Sequence, residues 1–237
     1  MKKILIYIAA VSILASCQSK TAKKETLAEK VLSKIATDTT HEAMYDNPVS
    51  SLGIGLIKAP QKFDIYDDSL LTKKYQSIDM GHDAKFSVSP KYFKPDYGIM
   101  HFVCISQSPK AYKVLVNRTT EKYLPKTKGY DFITWSNYIT SSTGIKPLYE
   151  GNKSIPLQTG PDGKGEPIPG TEKYEMFCPM QVQGDWVQVQ FDCFYNTDNN
   201  KHEGEPCHKY ISQCKSPVKG WLRWRKDEKV LIDIFFD

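Results

Sequence analysis

The first seventeen residues constrain this chain most, because they decide in which compartment the rest of it folds. Met1-Lys2-Lys3 is a short positive segment, and residues 4–14 form an apolar run without charge. A run this short, with basic residues before it and small residues after it, is typical of a signal peptide, since a spanning helix needs about 20 apolar residues. We therefore predict a signal peptide over residues 1–16 and an exported chain after it.

The end of this segment, Leu14-Ala15-Ser16-Cys17, resembles the lipobox of bacterial lipoproteins. The resemblance implies cleavage before Cys17 and a diacylglycerol on its sulfur, and two or three acyl chains hold a protein stably at a membrane. The alternative is an ordinary secretory signal followed by an incidental cysteine. Residues 18–20 lack both the aspartate that resembles an inner-membrane retention signal and the acidic cluster that resembles a surface-export signal. We expect a lipid anchor in the outer membrane, with the protein facing the periplasm.

Composition favours an all-β fold and argues against a nucleic-acid partner. Loss of Lys2 and Lys3 with the signal peptide lowers the formal charge of +5 by two, which is too little for a nucleic-acid-binding surface. About 220 residues remain, enough for one large domain or two small ones. Aromatic residues make up 12% of the chain, and 14 glycines and 14 prolines interrupt it often. This pattern is typical of short strands joined by turns.

The cysteines after the anchor predict disulfides, because an exported chain folds in an oxidising compartment. Four of them, which fall in the last sixty residues, allow three pairings that sequence alone cannot distinguish. The fifth, Cys104, is left over, and we predict that it is a buried thiol in a strand. The four predicted disulfide cysteines are Cys178, Cys193, Cys207 and Cys214.

Strand-like segments recur in the same order in the two halves of the chain, which predicts a duplicated unit of roughly 85 residues, the size of a domain. On this interpretation Trp135 matches Trp224, Tyr66 matches Tyr149, and the alternating segment around Val114 matches residues 184–191. The predicted organisation is a signal peptide (residues 1–16), a lipidated cysteine with a polar tether (17–50), and two β domains (51–142 and 143–237). A short amphipathic helix within the tether is the alternative for residues 27–35.

The second half resembles bacterial Src-homology-3-like (SH3-like) domains. Four segments carry the resemblance: Pro147-Leu148-Tyr149, Gly184-Asp185-Trp186-Val187, Gly220-Trp221-Leu222 and the closing residues 230–235. The resemblance implies a short opening strand, a long loop, a central hairpin and a closing strand, arranged as a small β-barrel. Its final Gly-Trp-x-x-Trp-Arg segment is similar to that of some Bacteroidetes lipoproteins. The fold prediction is therefore all-β, with tandem SH3-like barrels, the first degenerate and identified mainly by the repeat.

The second half departs from this family in one long insertion, residues 195–218, which takes the place of a tight hairpin. Long loops in compact domains are usually functional or specially braced. A bridge between Cys193 and Cys214 would close the base of the insertion and would leave Cys178 to pair with Cys207. Each such bridge contributes about 3 kcal/mol to stability. The local pair of Cys207 with Cys214 remains the alternative.

No catalytic, metal or cofactor site is predicted. Cys207-His208 could form a thiol–base pair only if the fold brought the base to the sulfur, and Cys207 is expected in a disulfide. His202, Cys207, His208 and Cys214 lack the paired short spacing of structural zinc sites. A cell-wall hydrolase or thiol enzyme is therefore the third of three hypotheses.

Aromatic residues are the candidate ligand-binding side chains. In SH3-like folds an aromatic-lined groove lies between the first long loop and the second hairpin, and the resemblance implies a groove that holds a cell-wall component, a peptide or a protein. The alternative role for the same rings is to fill the small barrel. We expect a non-catalytic binding module, and the second hypothesis is a structural subunit of an envelope complex. The candidates are Tyr149, Trp186, Trp221 and Trp224.

Overall fold

The computed structural model describes residues 45–81, 86–148, 155–195, 197 and 200–236. The predicted signal peptide, Cys17 and most of the predicted tether lie outside these residues, as does Tyr149. All described residues belong to one compact unit, Thr40–Asp237. Within the described ranges, no helix is long and apolar enough to cross a membrane.

The structure is predominantly β, which confirms the predicted fold class at that level. The strands pair antiparallel in two larger sheets and one short hairpin. The first half of the chain forms an eight-stranded sheet, whose strands are β1 (Gly55–Lys58), β2 (Lys62–Tyr66), β3 (Lys74–Asp79), β4 (Tyr92–Lys94), β5 (Ile99–Gln107), β6 (Ala111–Leu115), β7 (Glu121–Pro125) and β8 (Asp131–Ile133).

A short helix, α1 (Trp135–Thr140), leads from the first sheet to the second, and the Thr134 hydroxyl caps it by accepting from the Asn137 N–H. The five-stranded sheet then forms from β9 (Gly144–Pro147), β10 (Phe177–Gln183), β11 (Trp186–Phe191), β12 (Lys219–Arg223) and β15 (Ile232–Phe235). The separate hairpin consists of β13 (Arg225–Lys226) and β14 (Lys229–Val230), and short 3-10 helices lie at Pro95–Tyr97, Cys207–Lys209 and Ile211–Gln213.

The two larger sheets share one pairing order. In the second sheet the opening strand β9 pairs with both β10 and the closing strand β15, and β10, β11 and β12 follow as a meander. In the first sheet β1 pairs with both β5 and β8, and β5, β6 and β7 form the corresponding meander. The strands β2, β3 and β4 lie between β1 and β5, where the second sheet has its long loop. Both halves are therefore built on the same five-strand path.

This path corrects the residue matches expected from the sequence repeat. Since β12 occupies the place of β7, Trp224 follows the fourth strand of its sheet, whereas Trp135 follows the closing strand β8. Tyr66 ends β2, which belongs to the connection after the opening strand β1. Its predicted match, Tyr149, lies outside the described residues. The match of the segment around Val114 with β11 is right, because β6 and β11 are both the middle strand of the meander.

The core is shared between the halves. One buried cluster combines Leu56 and Trp135 of the first half with Val187 and Ile234 of the second. A second cluster, around Phe102, lies within the first sheet, and a small third cluster surrounds the cysteines of the insertion. The final residues assigned to the tether also contact this body, since Asn47 N–H donates to Lys91 O at 2.9 Å and the Tyr45 hydroxyl to Ile234 O at 3.1 Å.

Candidate functional site

A groove of about 300 Å³ opens on the second sheet, between the end of β9, the loop that follows it, the β10–β11 hairpin and the β12 edge. Trp186 and Trp221, two of the predicted ligand-binding residues, both line it. Apolar side chains form most of the wall. The lining residues are Pro147, Leu148, Ile155, Pro156, Gln158, Trp186, Trp221, Leu222, Arg223, Lys226, Leu231 and Ile232.

Trp186 reaches the groove because it begins β11 directly after a tight turn. Gly184 has a φ of 57°, a left-handed conformation that glycine adopts without strain. Strand alternation then places Val187 and Val189 in the core with no exposed surface, and Trp186 on the other face. A Cβ on Gly163 would lie 3.4 Å from Cζ2 of Trp186, so the long loop packs close to this ring.

The long loop is fixed to β12 by backbone hydrogen bonds. Gln158 N–H donates to Trp221 O at 2.9 Å, and Trp221 N–H donates to Gln158 O at 2.8 Å. Gly220 makes this approach possible, because a Cβ at that position would lie 2.6 Å from the Leu157 Cβ, far inside van der Waals contact. The Gly-Trp pair thus has a physical reason: the glycine admits the loop and the tryptophan lines the groove beside it.

Trp224, also predicted to bind ligand, lies in the core instead. Its side chain is only 2% exposed, and its ring centroid lies 5.6 Å from that of Trp135. Its indole N–H donates to Gly184 O at 2.9 Å, and its backbone N–H donates to Asp185 O at 2.9 Å. Trp224 therefore does not touch a ligand in the groove, but it holds the turn that presents Trp186.

The first half has no tryptophan pair at the corresponding place. Tyr66 pairs with Tyr123 as Gln158 pairs with Trp221, so Tyr123 takes the place of Trp221. In the β11–β12 ladder, Trp186 lies two residues before the strand partner of Trp221. In the β6–β7 ladder, Ala111 lies two residues before the strand partner of Tyr123, so Ala111 takes the position of Trp186. A cavity of about 520 Å³ beside Tyr66 is lined by neither Ala111 nor Tyr123. Its walls are largely charged and hydroxyl-bearing side chains, including Lys62, Asp64, Ser77, Asp79 and Tyr130. Of the two, the second groove is the one suited to an apolar ligand.

The insertion is braced by two disulfides, Cys178–Cys207 and Cys193–Cys214. These are the two pairs predicted on the argument that a Cys193–Cys214 bridge would close the base of the insertion. The alternative local pair, Cys207 with Cys214, does not form. Cys207 therefore carries no free thiol for the exposed His208 to activate. Cys104 is fully buried on β5, as expected, and burial raises the pKa of its thiol to about 12. It is unreactive at neutral pH.

A small core of its own supports the insertion. Tyr210 stacks on His202 with ring centroids 4.3 Å apart, and its hydroxyl donates to the Asp192 carboxylate at 2.8 Å. Burial, together with this carboxylate, raises the pKa of Tyr210 above its usual range. Gln190 of β11 adds a hydrogen bond to Ile211 O at 2.9 Å. The insertion is thus bonded to the strand that begins at Trp186, but it does not line the groove.

Comparison of the chain with protein-family models, with curated proteins and with solved structures gives no match to any of them. The interpretation of the groove therefore depends on its geometry and chemistry.

Proposed function

We propose that the protein is an exported, lipid-anchored binding module, built from two SH3-like units, whose ligand occupies the groove beside Trp186 and Trp221. The single observation that carries the proposal is this groove, where two indole rings meet an apolar wall. Aromatic rings offer a large rigid contact area at low entropic cost, and for this reason they are frequent in binding sites.

The common pairing order of the two sheets supports the SH3-like assignment. Each half has an opening strand, a long connection, a three-stranded meander and a closing strand paired with the opening one. These are the elements that the sequence resemblance implies, in the same order. A fold alone does not assign a function, so the binding role depends on the groove itself.

The anchor follows from the lipobox-like segment that ends at Cys17. A radiolabelled palmitate is expected to be incorporated into the chain in growing cells, and the Cys17→Ser variant is expected to lose the label. Equal labelling of the two would remove the anchor from the proposal.

The binding role is tested by incubating the purified full chain with purified peptidoglycan and, separately, with envelope extract, followed by sedimentation or pull-down. We expect capture that falls at least about tenfold in Trp186→Ala and Trp221→Ala, because hot-spot aromatics carry most of the energy of such interfaces. Tyr97→Ala removes an aromatic ring that is 62% exposed and outside the groove, and is the matched control.

Capture that is unchanged in both groove variants would contradict the proposal. Recovery of one defined protein whose binding is independent of the groove would favour a structural subunit of an envelope complex.

A further inference from the structure

The groove carries positive charge at one end. Arg223 and Lys226 are the charged side chains among the described residues that line it, and neither Asp nor Glu appears in that set. Lys226 has no ion pair with any described residue. A ligand that fills the groove is therefore met by cations that the described lining does not neutralise.

The Asp185 carboxylate, which directly precedes Trp186 in the chain, is shared between two arginines. Asp185 accepts from Arg225 Nε at 2.7 Å, while Arg223 lies 3.6 Å away from it and donates its own Nε to Arg225 O at 3.0 Å. One negative charge thus faces two guanidinium groups, and Lys226 adds a third cation. Among the groove lining, Asp185 and Arg225, positive charge therefore exceeds negative charge, and this excess favours an anionic group on the ligand.

The apolar and cationic regions of the groove are neighbours. Trp186 lies directly opposite Arg223 in the β11–β12 ladder, where facing Cβ atoms are about 5 Å apart. An extended peptide advances about 3.3 Å per residue, so one to three residues separate a side chain on the tryptophans from one at the cations. Ile155, 48% exposed, extends the apolar region at the mouth of the groove.

We propose that the groove binds an extended acidic peptide, with an apolar side chain against Trp186 and Trp221 and a carboxylate one to three residues away at Arg223 and Lys226. This inference rests on the proposed function and names the ligand class of the same site. Charge complementarity favours the acid and the apolar wall favours an aliphatic or aromatic side chain, and an extended peptide carries both groups at this spacing.

The probe is a phage-displayed library of random dodecapeptides, selected on the immobilised full chain with Trp186→Ala as the counter-selection. We expect the peptides retained only by the wild-type chain to carry Asp or Glu within three positions of an aliphatic, proline or aromatic residue. One enriched peptide is then labelled and measured by fluorescence anisotropy, together with its Gln or Asn counterpart.

In that assay the double variant Arg223→Gln/Lys226→Gln is expected to bind the acidic peptide at least about tenfold more weakly than the wild-type chain, because charge-assisted bonds to the carboxylate are lost. The neutral counterpart is expected to bind both chains within about twofold of each other. Lys215→Gln is the matched control: it removes one exposed charge from the insertion, outside the groove, and is expected to bind like the wild type.

Two results overturn the inference. Peptides that depend on Trp186 but show no enrichment of acids would leave the groove as a binding site and remove its preference for acids. Absence of any peptide dependent on Trp186 would remove the peptide as ligand, and wall sedimentation that still depends on Trp186 would then show that the proposed function stands without it.

Discussion

His101 is a histidine that the fold keeps without charge. It lies on β5, only 7% exposed, and its Nδ1 is 3.0 Å from the Tyr138 hydroxyl. Burial, and to a smaller extent the nearby Lys58 ammonium, lower the pKa of His101 to about 3. In the unfolded chain the same group titrates near its ordinary pKa of about 6.5.

We therefore expect the free energy of unfolding to decrease as pH falls from about 6.5 towards 3, by up to about 1.4 kcal/mol per pH unit from this residue. The sign follows because only the unfolded chain binds the proton in that window. Urea unfolding of the wild type and of His101→Asn between pH 7 and pH 4 measures the difference. The exposed His208→Gln is expected to keep the wild-type slope, and an equally steep slope in His101→Asn would contradict the account.

At the scale of residues, the sequence predicts which side chains are buried only where a local pattern is sufficient. Alternation along β11 was enough to separate Trp186 from the buried Val187 and Val189. The three-residue spacing of Trp221 and Trp224 predicts that at most one of them is core, but not which one. Both rings are buried, at 9% and 2% exposure, and only Trp224 belongs to the shared core cluster. That choice depends on Trp135, a contact between distant segments of the chain that no local periodicity encodes.

At the scale of elements, the insertion depends on its two disulfides more than on its own small core. Its described residues contain two 3-10 helices and few buried apolar side chains besides the cysteines. Most of its order must therefore come from the cross-links and from the strands to which they tie it. Cys178 lies on β10 and Cys193 just after β11, so both bridges attach the insertion to the meander.

We expect Cys178→Ala/Cys207→Ala and Cys193→Ala/Cys214→Ala each to lower the free energy of unfolding by about 3 kcal/mol, because each bridge restricts the unfolded chain. The loops that they close, with sequence separations of 29 and 21, are similar enough to give similar losses. Urea unfolding measures both variants, and Cys104→Ala, which removes no bridge, is the control for cysteine loss. Non-reducing peptide mapping that found Cys207 bonded to Cys214 would contradict the pairing.

The sequence predicts well which segments form strands, but it predicts less completely which strands pair with each other. Apolar alternation and turn residues suffice for strands, because both are local signals. Pairing in an antiparallel sheet is set by residues far apart in the chain, so a sequence repeat does not determine it, and the predicted match of Trp135 with Trp224 is wrong. The strand path shows the correct match of β7 with β12.

At the scale of the whole molecule, the two halves are joined by specific contacts. The Trp135 indole N–H donates to Leu52 O at 2.6 Å, and Leu52 N–H donates to the Glu228 carboxylate of the second half. Tyr138 of α1 packs against Phe236 with centroids 4.5 Å apart. These contacts and the shared core unite the described residues of the two predicted β domains in a single body.

Unfolding is accordingly expected to be a single cooperative transition, with tryptophan fluorescence and far-ultraviolet circular dichroism giving the same midpoint. Trp135→Ala is expected to lower the free energy of unfolding by about 3–5 kcal/mol, as for other buried tryptophans. Tyr97→Ala, at a largely exposed position, is expected to change it by less than about 0.5 kcal/mol. Two resolved transitions in the wild-type chain would contradict a shared core.

The connectivity of the two disulfides has a kinetic consequence. Along the chain the bridges interleave, since Cys193 lies between Cys178 and Cys207, and Cys207 lies between Cys193 and Cys214. Neighbouring thiols of an unfolded chain meet most often, so random oxidation favours the local pairs over the interleaved ones. Either the meander must assemble before its thiols are oxidised, or mispaired bridges must be exchanged by thiolate attack. Unless the meander assembles before oxidation, correct pairing therefore needs a disulfide isomerase or a thiol buffer in addition to an oxidant.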